Sequence, residues 1–232
     1  MDLLYEGKSK RVYKLDEDKV LLEFKDTFSA FDGEKIETVN GKGEVNAIFT
    51  EVLMRYLNER GIPTQFVSRD SNKIIALRSE PLPLEFIVRN YAFGSLLKRM
   101  PLFKKGEKLK KPIFEIHFKS DELHDPLLSY DDPIAAGLLS EEELKHLRDL
   151  SLRINDILRE LFERAGYELV DLKLEFGKRG DEFILIDELS PDVFRAWKDG
   201  SSYDKDLFRK GKSGRETLDA YKVLLNDLIK VL

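Results

Sequence analysis

The chain has 232 residues, enough for one large or two small domains, and its 42% hydrophobic and 10% aromatic content suits a globular core. Charged residues reach 36% with both signs interleaved and a net charge of −5, so the basic excess of a general nucleic-acid binder is missing. The absence of cysteine excludes disulfides, a thiol nucleophile and sulfur-ligated metal, and with only His117, His124 and His146 the histidine count argues against zinc.

The opening stretch MDLLYEGKSKRVY lacks the apolar core of a signal peptide, and no run approaches the length of a membrane span. A cytoplasmic protein with neither membrane nor nucleic-acid partner is expected. Strands are predicted at 3–5, 11–15 and 19–24. In the first turn Gly7 stands beside Lys8, Lys10 and Arg11. Glycine admits close backbone approach and clustered cations hold phosphate oxygens, although a solvated basic turn has the same composition. It is not a Walker loop, because Asp2 occupies the position that pattern reserves for glycine.

The segment FSAFDG with the following EKIETVNGKGEVN reads as an exposed, adaptable loop, in which Asp32 is a turn residue or a functional one. Asn46 is placed to cap a helix running to residue 60, with Phe49, Leu53, Tyr56 and Leu57 inward and Gly61 and Pro63 ending it. Strands follow at 64–68 and 73–77. The Pro-containing stretch 80–84 is the candidate boundary between a mainly antiparallel β lobe with one helix (1–82) and an α+β lobe (83–232).

A strand at 85–90 ends in Arg89-Asn90, and Gly94-Ser95 opens a short helix carrying Lys98 and Arg99. Guanidinium and free backbone N–H groups aimed at one spot bind anions; a salt bridge beside a helix cap is the bland counterpart. Residues 104–111 form a basic, solvent-facing stretch, 112–119 a strand, and SDELHDP gathers Asp121, Glu122, His124 and Asp125 in a loop. Ser140 and Glu143 make a capping box for a scaffold helix that Gly166 terminates.

Next comes an acidic hairpin. Val170, Leu172, Leu174 and Phe176 alternate with Asp171, Lys173 and Glu175, a strand with one oily and one charged face. The run from Phe183 to Ile186 is a buried return strand that turns acidic at Asp187 and Glu188. A loop centred near Asp181 sets Glu175 opposite Asp187 at about 5 Å. Like charges at that distance repel by about 3 kcal/mol at an effective dielectric near 20 and call for a cation or a shared proton. Oxygen ligands favour magnesium; neutralisation by Lys173 and a nearby arginine is an equal reading. After a polar stretch at 200–215 a helix with Leu218, Tyr221, Leu225 and Leu228 closes the chain.

Together these elements suit a chain that holds a magnesium nucleotide and a second anionic substrate, an ATP-dependent transferase or ligase. A kinase reading lacks HRD and DFG motifs, and a non-catalytic nucleotide sensor would not need both hairpin carboxylates. YEGKSKRVY, SAFDG, LPLEFIVRNYAFGS, KSDELHDP, LVDLKLEFG and IDELSPDVFRAW, in this order, closely resemble the phosphoribosylaminoimidazole-succinocarboxamide synthase (SAICAR synthetase) family from residue 4 to about 197. One departure is Phe93, where the family typically has a small residue before Gly-Ser. The resemblance implies an α+β fold with a kinase-like N-terminal lobe and a larger ATP-grasp-like lobe, ATP in the cleft between them and a homodimer. It implies a carbon–nitrogen ligase of purine biosynthesis that joins 5-amino-1-(5-phosphoribosyl)imidazole-4-carboxylate (CAIR) and L-aspartate into SAICAR, with ATP giving ADP and phosphate. It also implies roles: Gly7, Lys8, Lys10 and Val12 for ATP, Glu175 and Asp187 for Mg2+, Arg89, Ser95 and Arg195 for the imidazole nucleotide. Lys119, Asp121 and His124 would line the acceptor side, with Lys173 and Asp32 as catalytic residues.

Overall fold

The computed structural model describes all 232 residues, the side chain of Asp32 excepted. The chain opens with β1 (Asp2–Glu6), β2 (Lys10–Lys14) and β3 (Lys19–Phe24), then a separate ribbon of β4 (Thr27–Ala30) and β5 (Lys35–Thr38). Helix α1 (Lys42–Asn58) and strands β6 (Phe66–Asp70) and β7 (Lys73–Leu77) follow, and the five-stranded sheet has the order β1-β2-β3-β7-β6. Val20, Leu22 and Phe24 of β3 alternate into the core where Phe49, Leu53 and Leu57 of α1 pack, as a period of two meeting a helical stripe requires.

Helix α1 starts five residues earlier than its sequence suggested. Gly41, at φ +86°, is the N-cap, and the Asp26 carboxylate accepts the Gly43 N–H at 2.8 Å, a capping service supplied from outside the helix. Asn46 is therefore not a cap but a buried residue inside α1, with its side chain committed elsewhere.

After β8 (Glu80–Pro81), β9 (Leu84–Tyr91) and α2 (Leu96–Arg99) come β10 (Lys108–Phe118), β11 (Leu127–Leu128), α3 (Asp132–Ala135) and α4 (Glu141–Arg164). The chain ends with β12 (Glu168–Arg179), β13 (Glu182–Ile186), β14 (Phe194–Lys198), β15 (Ser201–Ser202), α5 (Asp206–Arg209) and α6 (Gly214–Ile229). The larger sheet has the order β11-β10-β9-β12-β14-β15, with β13 and β8 also pairing with β12. Part of the basic stretch, from Lys108, already belongs to β10, though its lysines do face solvent. The capping box of α4 forms, and its stripe of Leu144, Leu147, Ile154, Leu158 and Leu161 is buried. Among the described residues no helix is long and apolar enough to cross a membrane.

Alternation in β9 decides what the sheet offers on each side. Leu84, Phe86 and Val88 belong to the apolar core, and Asn90 exchanges amide hydrogen bonds with Asn155 of α4 at 2.8 and 3.0 Å. Glu85, Ile87 and Arg89 consequently point to the opposite face, where the charged residues of β10 and β12 collect.

The hairpin of β12 and β13 forms, but in a different register from the one expected. Arg179 pairs with Glu182, so the loop is only Gly180 and Asp181, and Glu175 stands opposite Ile186 instead of Asp187. A two-residue loop with Gly180 at φ +63° matches the twist of the strands better than a longer one.

Gly43 touches the sheet so closely that a Cβ there would sit 2.5 Å from the Phe24 carbonyl oxygen. Replacing a helical glycine by alanine ordinarily stabilises by about 1 kcal/mol. Here Gly43→Ala is expected to destabilise by about 1–3 kcal/mol. Urea unfolding midpoints of the two proteins measure the sign, and a midpoint at or above that of the parent would refute the close approach.

Candidate active site

The charged face of the larger sheet carries two adjoining ion clusters. Asp171, Lys173 and Glu175 alternate along β12, so their side chains lie in a row, and they are met by Glu85 and Arg89 of β9 and by Glu115 and Lys119 at and beyond β10. Lys173 and Glu175 belong to one cluster and Asp171 to the other.

The first cluster is built from lysines and carboxylates. Lys173 Nζ lies 2.5 Å from Glu175 and 2.8 Å from Glu85, and Lys119 donates to the other Glu175 oxygen. Lys10, on β2 of the smaller sheet, donates at 2.6 Å to Asp187 and at 2.9 Å to Glu188. Burial by itself would lower the Lys10 pKa; the Asp187 and Glu188 charges outweigh it and hold the amine above its ordinary value. Burial likewise opposes ionisation of Asp187, but Lys10, Lys173 and Lys119 keep it below the usual carboxylate range. Lys173 and Lys119 are raised for the same reason, their carboxylate neighbours overcoming desolvation.

Asp187 reaches this cluster although it is out of register with Glu175. A continued strand would have sent it to the other face. Its backbone is left-handed, with φ +68°, and this breaks the alternation directly after β13 ends. Gln65 clamps the turn by donating to the Asp187 carbonyl at 2.7 Å.

Magnesium fits only part of this donor set. Both Glu175 oxygens are taken by lysines and Asp187 Oδ1 by Lys10, while Asp187 Oδ2 lies 4.0 Å from Lys173. Among the described residues no three metal-ligating side chains converge. Asp187 can therefore serve a metal that brings nucleotide phosphates as its other ligands, and Glu175 can do so on exchange of a lysine.

The second cluster is built from guanidinium groups. Arg89 donates through Nε and Nη2 to both oxygens of Glu115 at 2.6 and 2.9 Å, through Nη1 to Asp171 at 3.0 Å and through Nη2 to Ser95 at 2.9 Å. This buried side chain keeps one unused Nη1 proton. Arg195 is the more open cation, giving Nη1 to Asp171 at 2.7 Å and Nε to Asp206 at 3.1 Å, with Nη2 uncommitted among the described residues. Gly94, at φ +64°, lies beneath both arginines, and a Cβ there would stand 3.4–3.5 Å from their terminal nitrogens. Its left-handed backbone favours glycine at that spot.

Phe93 packs edge-on against Trp197, with ring centroids 5.1 Å apart, and the Arg195 guanidinium lies 5.3 Å from its ring centre. The bulky residue thus supports the arginine from the side.

The remaining expected residues are more scattered. Lys8, half-exposed, pairs with Asp121 at 2.8 Å, linking the Gly7 turn to the loop after β10. Gly7 closes that turn by donating its N–H to the Lys10 carbonyl. Val12 is a partly buried residue of β2 packed on the core. His124 sits at φ +56° in an exposed turn. Asp32 falls outside the described side chains.

Several members of the clusters were not singled out from sequence. Glu188 accepts from Ser9, Lys10, Asn46 and Ser190 and is the residue that ties the Gly-Lys turn to α1. Lys42 pairs with Asp192, which also accepts from Asn46 at 3.0 Å and from Tyr221 of α6 at 2.9 Å. Glu115 and Asp206 hold the arginines. The clustering DKD at 204–206 was a visible signal for the last of these.

Comparison with known proteins decides the family. The sequence model of SAICAR synthetase matches residues 3–223. The chain belongs to the SAICAR synthetase family. The phosphoribosylaminoimidazole-succinocarboxamide synthase of Caldivirga maquilingensis is 46% identical over 224 residues, which cover 96% of this chain and 93% of that one. Among solved structures, a SAICAR synthetase (Type-2) in complex with ADP superposes with TM-score 0.92 at 40% identity, covering 97% of each chain. The phosphoribosylaminoimidazole-succinocarboxamide synthase of Ehrlichia chaffeensis gives TM-score 0.93 at 34% identity over 100% of this chain and 99% of its own.

Within this SAICAR synthetase family member, Glu115 is an acid-sensitive support of the guanidinium cluster. Burial raises its pKa, but hydrogen bonds from His117, Arg89 and Arg99 win and depress it below the ordinary 4.5. A depressed folded-state pKa gives stability that is complete above about 4.5 and drains as pH falls below it. Glu115→Gln is expected to cost about 3 kcal/mol at neutral pH, because buried Arg89 is left with Asp171 alone, a carboxylate it already shares with Arg195. The variant's stability should also fall less steeply than the parent's between pH 5 and 3; identical slopes in pH-dependent urea titrations would refute the assignment.

Proposed function

We propose that this chain is an ATP-dependent carbon–nitrogen ligase that condenses CAIR with L-aspartate to give SAICAR, ADP and phosphate in purine biosynthesis. The observation that carries the reading is one sheet face on which a lysine–carboxylate cluster adjoins a guanidinium cluster, in a chain that matches SAICAR synthetase over nearly its whole length. Two anionic substrates side by side need two such neighbourhoods.

In this reading Lys8 and Lys10, with Gly7 and Val12 beside them, grip the nucleotide. The Arg195 guanidinium, the spare Arg89 proton, Ser95 and the Gly94 backbone receive the phosphate and carboxylate of the imidazole nucleotide. A carboxylate is a poor electrophile. Bonding of a CAIR carboxylate oxygen to the γ-phosphorus as the bridge to ADP breaks supplies a leaving group; attack by the aspartate amine then expels phosphate and forms the amide. Lys173 and Lys119, held protonated by their surroundings, act as fixed cations and not as bases. Lys119, Asp121, His124 and Asp32 border the acceptor side.

Magnesium bound with the nucleotide would neutralise phosphate charge, and Asp187 together with Glu175 would hold it. The two sheets form the walls of the nucleotide cleft, as lobes 1–82 and 83–232. Family likeness supports a cytoplasmic homodimer.

The test is turnover of purified protein with ATP, magnesium, CAIR and L-aspartate, scoring SAICAR and ADP together. Formation of both in equal amounts is expected, and ADP without amide would overturn the ligase reading. Glu175→Gln and Asp187→Asn should each lower kcat by roughly 100-fold or more while circular dichroism stays native. Near-normal kcat in both would return the cluster to a purely structural ion network.

A further inference from the structure

Nearly every cation of the two clusters is already matched by a carboxylate of the chain. Lys10 has Asp187 and Glu188, Lys119 and Lys173 share Glu175, Lys42 has Asp192, and Arg89 and Arg195 share Asp171. Arg209 has Asp206 at 2.7 Å. Lys205 is the exception. Its ammonium makes no hydrogen bond or ion pair among the described residues, although its side chain is partly buried.

The backbone holds this residue in place from three directions. Its N–H donates to the Pro191 carbonyl at 3.2 Å, in the loop that carries Glu188 and Asp192. The preceding residue, Asp204, accepts the Ala196 N–H at 3.0 Å and the Asp206 N–H at 2.7 Å. The following residue, Asp206, is fixed by Arg195 and Arg209. The fields of Asp192 and Glu188 favour the Lys205 charge and those of Lys42 and Arg209 oppose it, and both carboxylates are already engaged by other cations. Burial keeps the amine below the ordinary lysine value, a cost that an arriving anion would relieve.

Position supplies the rest. On one side of Lys205 the 187–192 loop runs to Lys10 through Glu188; on the other, Asp206 holds Arg195. The residue therefore stands between the neighbourhood assigned to the nucleotide phosphates and the one assigned to the imidazole nucleotide. The proposed reaction has one anionic reactant left to place, an amino dicarboxylate whose amine must reach the activated carboxylate between those two sites. We propose that Lys205 binds a carboxylate of the L-aspartate co-substrate, an inference that rests on the ligase reading above.

Steady-state kinetics of Lys205→Met and Lys205→Gln with all three substrates test it. The KM for aspartate should rise roughly 10- to 100-fold, as loss of one charge-assisted contact predicts, with the KM for ATP and CAIR within about twofold of the parent. Lys205→Gln separates loss of charge from any packing defect of methionine. The unfolding temperature should not drop in either variant, because the charge has no hydrogen-bond or ion-pair partner among the described residues. An unchanged aspartate KM, an equal rise for CAIR or ATP, or a fall of several degrees in unfolding temperature would each overturn the role of Lys205. Absence of SAICAR formation by the parent protein overturns the ligase reading instead, so the two failures are distinguishable.

Discussion

The row of Asp171, Lys173 and Glu175 on one face of β12 is the constraint on which the rest of the site depends. β12 is a central strand with neighbours on both edges, Asp171 and Glu175 on this face are buried and Lys173 is partly so, and buried charges are tolerable only when paired and hydrogen-bonded. Each member accordingly recruits partners from other elements. Asp171 takes arginines from β9 and β14, Lys173 takes Glu85 from β9, and Glu175 takes Lys119 from the end of β10. The requirement that charges be matched is what brings distant strands into one electrostatic unit.

The same matching explains how a highly charged site persists without substrates. Each cation has an internal carboxylate: Asp187 and Glu188 at Lys10, Glu115 and Asp171 at Arg89, Asp206 at Arg195. Substrate binding then exchanges or adds an anion at a cation that is already oriented, so little side-chain order has to be created at that moment. In the proposed reaction that exchange begins at the donors left open among the described residues, on Arg195, on Arg89 and at Lys205.

Support from beneath comes from helices that touch no proposed substrate. Lys42 and Asn46 on α1 and Tyr221 on α6 converge on Asp192, and Asn46 also reaches Glu188. They hold the 187–192 turn at the junction of the two sheets, where the strand alternation has ended and the backbone no longer sets the side-chain directions. Tyr221 donates its hydroxyl there while Phe28 stacks edge-on against its ring, 5.6 Å between centroids, tying the terminal helix to the β4–β5 ribbon.

Sequence alone determined most strands of the two sheets, the long capped helix and the two-faced character of β12, because alternation and capping are local properties of the chain; it read the β4–β5 ribbon, whose Phe28 and Ala30 are buried, as an exposed loop and gave no strand at β14. It also determined the family, since motifs such as VDLKLEF and VRNYAFGS carry both the residue types and their spacing. Tertiary structure decided what those residues touch. The hairpin register turned on a two-residue loop and the left-handed backbone of Asp187, neither of which a hydrophobic pattern specifies. Asn46 looked like a cap because caps and buried amides share a residue type, and only the approach of Glu188 and Asp192, more than a hundred residues away, separates the two. Lys205 was one more lysine in a polar stretch until folding matched its neighbours with carboxylates and left it without one. Charge pairing is a long-range, pairwise property of the folded chain, and periodicity does not encode it.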